Sequence, residues 1–426
     1  MTTPLRQLGW RFWVTFVLAC VIAEGGELLF DRFAHTDATR SGVTDSLVAA
    51  SGFYQRLVTA PRHPIARFTA VVELDPAKDD VGVSDLNVCD ERLFLAQLLR
   101  RIDTANPAMI VIDKYFGGTT CSPNDARSLA LLDAINAVRS HRSLVVGSRV
   151  AALDHAIVGG TDDRNYVVAE LNFAPDNWTL SEGILNIAKD SRRLPLQWRV
   201  APNRDAANKG NLEVRDTLAL AVAKLYDPHL LQKNPRLRRI LLRGRQPFIG
   251  FLTPDQFASS HYYVSELCNG AVEHGAGTPT CHGVGPPPAA LRNRIVVVGE
   301  NDPTRDNFAT IIGRLPGFYL QANYIEALLD DRYYAPGGPI LDVGAALLFL
   351  FGLELILLVY HHDVVKAAGY TIGLAVGTGA ILYLTITITS VYIDPIGVSA
   401  TAVLIKLLHF GYGYAKRDPA QASEKH

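Results

Sequence analysis

The 426 residues contain none of the short signatures of nucleotide, hydrolase or metalloprotease chemistry: no G-x-S-x-G, no G-x-x-x-x-G-K-[ST], no H-E-x-x-H and no C-x-x-C. The stretches GTGA and GVGP are too short and wrongly placed to cradle a phosphate. No nucleophile, base and orienting group can be assembled, so the sequence predicts neither an enzyme nor a cofactor. An excess of either charge is missing too. Lys and Arg number 41 against 42 Asp and Glu, a net charge of -1, which offers nucleic acid no electrostatic footprint. There is no internal repeat, and cysteine is scarce, at five.

What the chain does have is apolar residues gathered in blocks. From Pro339 to Tyr360 the run is apolar apart from Asp342 and Glu354, long enough for a helix across a hydrocarbon core of about 30 Å. Ala367 to Tyr392 and Ile396 to Tyr414 repeat the pattern. A shorter run, Trp10 to Ala23, follows Arg6 and Arg11 and reads as a first span. A signal-peptidase site at Val21-Ile22-Ala23 and a degenerate lipobox ending at Cys20 are the competing readings. If the segments alternate, Arg6, Arg11, Lys366, Lys416 and Arg417 all fall on one side, which the positive-inside rule makes cytoplasmic. The predicted organisation is a cytoplasmic N-terminus (1–9), a transmembrane or signal-anchor helix (10–30), an extracytoplasmic domain (31–338), three transmembrane helices (339–414) and a cytoplasmic tail (415–426).

Four cysteines, Cys89, Cys121, Cys268 and Cys281, lie in the segment assigned to the oxidising side. Three connectivities are open to them; Cys89–Cys121 and Cys268–Cys281 are favoured because each closes a modest local loop. The alternative is a metal site from Cys268, His274, Cys281 and His282, but its spacing matches no standard zinc pattern, and no metal is predicted.

Within the outer domain, apolar β-branched runs at Arg67–Asp75, Ala108–Phe116, Ser143–Val150, Tyr166–Phe173 and Asn293–Asp302 read as strands, most of them buried on both faces. Helical spacing of Leu93, Gln97/Leu98 and Arg101/Ile102 separates the first two, and Asp125–Arg139 reads as a second helix. Glu213–Tyr226 predicts another amphipathic helix, and 176–211 reads as loop. The fold class is therefore α/β, a mostly parallel sheet plus transmembrane α-helices, one N-terminal and three C-terminal. Before the first long apolar run, the segment Pro316–Tyr334 predicts a turn, a helix with Leu320, Tyr324, Ala327 and Leu328 on one face, and a polar stop.

This order of parts resembles the second class of CHASE domain, the bacterial extracellular sensor that precedes cyclases and kinases. The residues that carry the resemblance are VVELD, PAMIVIDKYF, DTLALAVAKLY, NRIVVVGENDPTRDNF and LPGFYLQANYIEALLDDRYY followed directly by three spans, and together they cover nearly the whole chain. The resemblance implies a bacterial inner-membrane location and makes the helix bearing Leu320, Asn323, Tyr324 and Leu328 a coupling piece between sensor and membrane bundle. Two features depart from the family. The stretch after the first strand is PAKDDVGVSDLNVCDE, without the usual Trp/Pro segment, and only AKRDPAQASEKH follows Tyr414, which leads to the expectation that output passes to another chain.

Asp75, Asp113, Glu300, Asp302, Arg305 and Asp306 follow the carboxyl ends of predicted parallel strands, where ligands lie in open α/β sheets. Their bland reading is local: Asp75 and Asp302, each before a proline, cap turns, Asp113 pairs with a nearby base, and Arg305 neutralises its neighbours. In the membrane segments, Gly369, Gly373 and Gly377 form a small stripe for close helix packing. Glu354 and Lys406 form an expected intramembrane pair, since an isolated charge costs about 3 kcal/mol there; the alternative has Lys406 snorkelling alone. The expected partners are the bilayer, an unidentified protein partner and, as an option, a second copy of the chain. The expected function is an extracytoplasmic sensor without its own effector; the alternative is a structural or accessory subunit of a larger membrane complex.

Overall fold

The computed structural model describes residues 65–74, 87–116, 121–152, 166–168, 181–187, 193–201, 206, 211–269, 281–283, 288–301, 306–337, 339–360 and 364–393. The chain divides into two units, Gly52–Tyr333 and the remainder, of which 334–393 is partly described. The first helix expected at 10–30 and the span expected at Ile396–Tyr414 lie outside the described residues.

Six strands form the centre of the larger unit: β1 Thr69–Leu74, β2 Met109–Asp113, β3 Ser143–Ser148, β4 Ser181–Ile184, β5 His261–Tyr263 and β6 Ile295–Glu300. They pair in the order β5-β1-β6-β2-β3-β4, every pair parallel. All six residues of β1 are buried, as a strand covered on both faces requires. Alternation of side chains then gives each layer its own set. The even-numbered residues Val72, Ile110, Ile112, Leu144, Val146, Val296 and Val298 join the core that contains helices α1 (Val88–Asp103) and α2 (Ala126–Arg139). Helices α3 (Leu218–Tyr226) and α5 (Gly317–Leu329) cover the other face, and the short helix α4 (Pro235–Leu242) lies between them in sequence.

The ends of α1 and α2 are set by local chemistry. Asn87 caps α1 by accepting from the N–H groups of Cys89 and Asp90 at 3.1 and 3.0 Å, and Asp90 and Glu91 suit the positive end of the helix dipole. Asp125 caps α2, and hydrogen bonds from the Arg127 side chain and backbone pull its carboxyl down to about 2. The disulfide Cys89–Cys121 ties the start of α1 to the loop before α2, and Cys268–Cys281 closes a second loop, so both favoured pairings are present. The Asp125 carboxylate lies within 4.8 Å of the first pair, but sulfurs bonded to one another offer no thiolate to a metal.

Several expectations need correction. Residues 213–216 are a strand, paired antiparallel with 197–200, and α3 begins only at Leu218 after Thr217. The region read as loop, 176–211, supplies β4 and strand 197–200; both are four residues long, too short for an apolar period to register. Tyr166–Val168 pairs antiparallel with Val150–Ala152 and is not in the main sheet. The buried stripe of α1 is Leu95, Leu98, Leu99 and Ile102, rotated from the expected one. α5 is not amphipathic towards solvent: Gly317 through Leu328 are all buried. Its polar residues Asn323 and Glu326 face inward and bond to backbone. Asn323 accepts from the Leu252 N–H at 2.6 Å and donates to the Leu252 carbonyl at 3.3 Å.

The smaller unit contains α6 (Pro339–Val359) and α7 (Val364–Thr389). A short parallel bridge, Ala335 with Val391 and Pro336 with Tyr392, joins the segment before α6 to the one after α7, closing the open end of a helical hairpin. Within α7, Gly369–Thr389 is long and apolar enough to cross a membrane. Its apolar side chains, Ile372, Val376, Ile381, Leu384 and Ile388 among them, are exposed. The hydroxyls of Thr385, Thr387 and Thr389 bond back to carbonyls three or four residues earlier, so these three donors are satisfied on an apolar surface. Gly352 of α6 receives Leu374 of α7; nothing among the described residues lies within 4 Å of a Cβ placed at Gly369, Gly373 or Gly377, so that stripe is not the α6–α7 contact. Lys406 and the Glu354 side chain lie outside the described residues.

Candidate functional site

The connection leaving β6 crosses to the α5 face, whereas those leaving β1 and β2 lead to α1 and α2 on the opposite face. This switch in direction puts the topological crevice position of the sheet at the carboxyl edge beside β6, where open parallel sheets bind ligands. Register fixes what lines it. Glu73 of β1, Gly299 of β6 and Asp113 of β2 stand in one row. A Cβ at Gly299 would lie 2.2 Å from Phe318 Cβ, so the row points at α5 and only glycine lets Phe318 sit between the two acids.

On the β1 side of Phe318, Glu73 is buried and its two carboxylate oxygens are both engaged. One accepts from Asn301 Nδ2 at 2.7 Å and the other contacts His261 Nε2 at 2.6 Å. The His261 ring packs edge-on against Tyr263 and Tyr319, at 4.8 and 5.5 Å between centroids. Burial, then the neighbouring Glu73 and Tyr263, push the Tyr319 phenol well above its ordinary value, so this tyrosine is a neutral donor at every physiological pH.

The β2 side is different, because Asp113 is half-buried and has no hydrogen-bond partner among the described residues. Burial first, and the negative charge of Asp306 second, hold its carboxyl well above the usual range. Asp306 meanwhile accepts the Gly317 N–H at 3.0 Å and so caps the first turn of α5. A Cβ on Gly317 would meet that carboxylate at 2.4 Å, which explains the glycine.

On the opposite face, Lys114 bridges Glu91 of α1 and Glu300 of β6, the latter at 2.8 Å. Burial alone would lower the ammonium, but the two carboxylates outweigh it and hold the group charged. Lys114 thus serves Glu300 and Glu91, and among the described residues Asp113 has no basic partner.

Of the six predicted ligand residues, the structure brings Asp113 and Asp306 together on the α5 face and places Glu300 on the other. Asp75, Asp302 and Arg305 lie outside the described residues. Glu73, His261, Asn301 and Tyr319 were not predicted. An acid inside the otherwise apolar TAVVEL was a readable signal for Glu73; His261 sits on a three-residue strand and gave none.

The raised Asp113 carboxyl has a measurable consequence. Below about pH 3.9 the group is protonated in both folded and unfolded chains and costs nothing. As pH rises towards the folded value, only the unfolded chain loses the proton, so stability is progressively lost. Asp113→Asn removes that loss. Its melting temperature should match the parent near pH 4 and exceed it at pH 7, where the gain in stability is about 1.4 kcal/mol for every tenfold by which folding weakens the acid. An unchanged difference across that range would show that Asp113 is not destabilised.

A family model described as the CHASE2 domain matches residues 37–359. No curated protein and no solved structure matches the chain.

Proposed function

This chain belongs to the CHASE2 family of extracellular sensory domains, and from that premise we propose a membrane-anchored extracytoplasmic sensor of the bacterial inner membrane that passes its signal to a partner protein through helices in the bilayer. The anchoring is supported by the exposed apolar surface of α7, by the neighbouring α6, and by the further apolar runs at 10–23 and 396–414. We assign no catalytic step to the chain.

The observation that carries the ligand reading is Asp113, half-buried at the end of β2 without a hydrogen-bond partner among the described residues and close enough to Asp306 for that charge to weaken it as an acid. A cation, either a divalent metal ion or a protonated amine, seated between the two carboxylates would relieve their repulsion. Asp306 also holds the first N–H of α5, so ligand and helix share one carboxylate. From Leu329, the end of α5, ten positions lead to Pro339 at the start of α6, a short tether for a displacement of α5. The ligand acts only through different affinities for two positions of α5.

Thermal unfolding of the purified full chain with Ca²⁺, Mg²⁺ or spermidine tests this. At a hundredfold excess over its dissociation constant, a true ligand adds about 2.7 kcal/mol to the parent and much less to Asp113→Asn. A panel that shifts both proteins equally would remove the crevice as a cation site and favour the scaffold role within a larger complex.

A further inference from the structure

Residues 233–245 carry six basic side chains, Lys233, Arg236, Arg238, Arg239, Arg243 and Arg245, and no acid, in a chain whose charges nearly cancel in total. Most of this run is α4, started by Pro235 and capped by Asn234, whose side chain accepts from the Leu237 N–H at 3.2 Å. Leu237 and Ile240 are buried and fix the inward face. At 100° per residue the outward face is then Arg238, Arg239 and Leu242. All three are exposed, and Leu242 is 78 % exposed, between the two arginines one turn earlier. Among the described residues Arg238, Arg239 and Arg243 have no acidic partner. A leucine held in water amid uncompensated like charges is unfavourable twice over, and an anionic lipid surface relieves both terms by taking the leucine below the headgroups and the guanidiniums among them.

The second observation is where α4 is tied. The Asn234 amide donates to the Asp331 carboxylate, Arg236 donates to the Asp331 carbonyl at 3.3 Å, and the Arg236 guanidinium lies 4.5 Å over the Tyr333 ring. Tyr333 precedes Pro339, the first residue of α6, by six positions. Fully extended, six residues reach about 20 Å, so the chain itself keeps α4 within reach of the leaflet that α6 enters.

We propose that the Arg238–Arg239–Leu242–Arg243 face of α4 docks on the anionic headgroups of the adjoining leaflet. This rests on the membrane-anchored reading above and adds a second attachment, independent of the crevice, which fixes the height and tilt of the outer domain. The direct test is full-length protein carrying Cys20→Ser and Leu242→Cys, labelled at residue 242 with a polarity-sensitive fluorophore. It is reconstituted in nanodiscs of phosphatidylcholine alone or with an equal amount of phosphatidylglycerol.

With phosphatidylglycerol the emission shifts to the blue and quenching by iodide falls severalfold; without it, neither happens. With each basic group near an anionic surface contributing about fivefold, reversing Arg238, Arg239 and Arg243 to Glu lowers the docked-to-free ratio by at least about a hundredfold and restores quenching, as does high salt. Equal quenching in both discs overturns the proposal. So does protection in both discs that ignores salt and charge reversal, which would assign the face to a protein contact. An alkaline wash separates the two readings: release of the chain overturns anchoring and this inference with it, whereas retention with an exposed label overturns the inference alone.

Discussion

Replacing Glu326 by alanine lowers the stability of the chain by about 3 to 5 kcal/mol, the range expected when a buried charged hydrogen-bonding partner is removed. Glu326 is 1 % exposed on α5, and a single carboxylate oxygen receives three donors: the N–H of Phe68 at 2.7 Å, the N–H of Thr69 at 2.6 Å and the Thr69 hydroxyl at 2.9 Å. These N–H groups lie at the first residue of β1 and the one before it, where the ladder to β6 begins with Thr69 opposite Ile295. With alanine the donors of Phe68 and Thr69 lose their acceptor, and those of Thr69 lie in the buried interior. Glu326→Gln keeps the acceptor oxygen and loses only the charge, so its cost should be about 1 to 2 kcal/mol. Thermal unfolding of both variants in the same detergent decides the matter; equal losses would show that side-chain volume rather than the acceptor holds β1 to α5.

The second large loss is expected from Gly183→Ala, about 3 kcal/mol. A Cβ there would lie 2.4 Å from the Cα and 2.8 Å from the nitrogen of Leu218, the first residue of α3. α3 cannot retreat, because Thr217 bridges to Ile184 and its hydroxyl donates to the carbonyls of Pro195 and Leu196. Gly147→Ala is the instructive comparison. The three atoms nearest its Cβ, at 2.4 to 2.6 Å, all belong to the Leu185 side chain, which can change rotamer, so its cost should be about 1 kcal/mol. If Gly147→Ala proved the more damaging variant, the account of α3 resting rigidly on β4 would be wrong.

The parts that the sequence revealed are those where one physical signal dominates. β1, β2, β3 and β6 are continuous β-branched runs because both of their faces are covered, and their boundaries are read to within two or three residues. The cysteine pairs are legible because each closes a short segment. What escaped are elements whose stability is tertiary. β5 is three residues long and gains its place by pairing with β1, and Glu213–Asp216 looks helical in composition until it finds 197–200. The crevice shows the same division. Asp113 and Asp306 follow strands and were readable; Glu73 and His261 become a pair only because β5 lies beside β1 in space, at a sequence separation of 188. α5 was placed correctly but given the wrong environment, because its inward polar residues imitate a solvent face. The basic face of α4 went unnoticed because a nearly neutral total hides a local run of six cations.

The position of β6 bears on how the domain comes into being. Its two sheet neighbours, β1 and β2, are 35 residues apart from the end of one to the start of the other, yet the strand that joins them ends only at Glu300. A chain entering the outer compartment from its N-terminus thus exposes two unpaired apolar strand edges for most of its passage, and the centre of the sheet closes last. Assembly of this domain should accordingly be slow for its size and dependent on holdase chaperones during export, with truncations before residue 295 prone to aggregate.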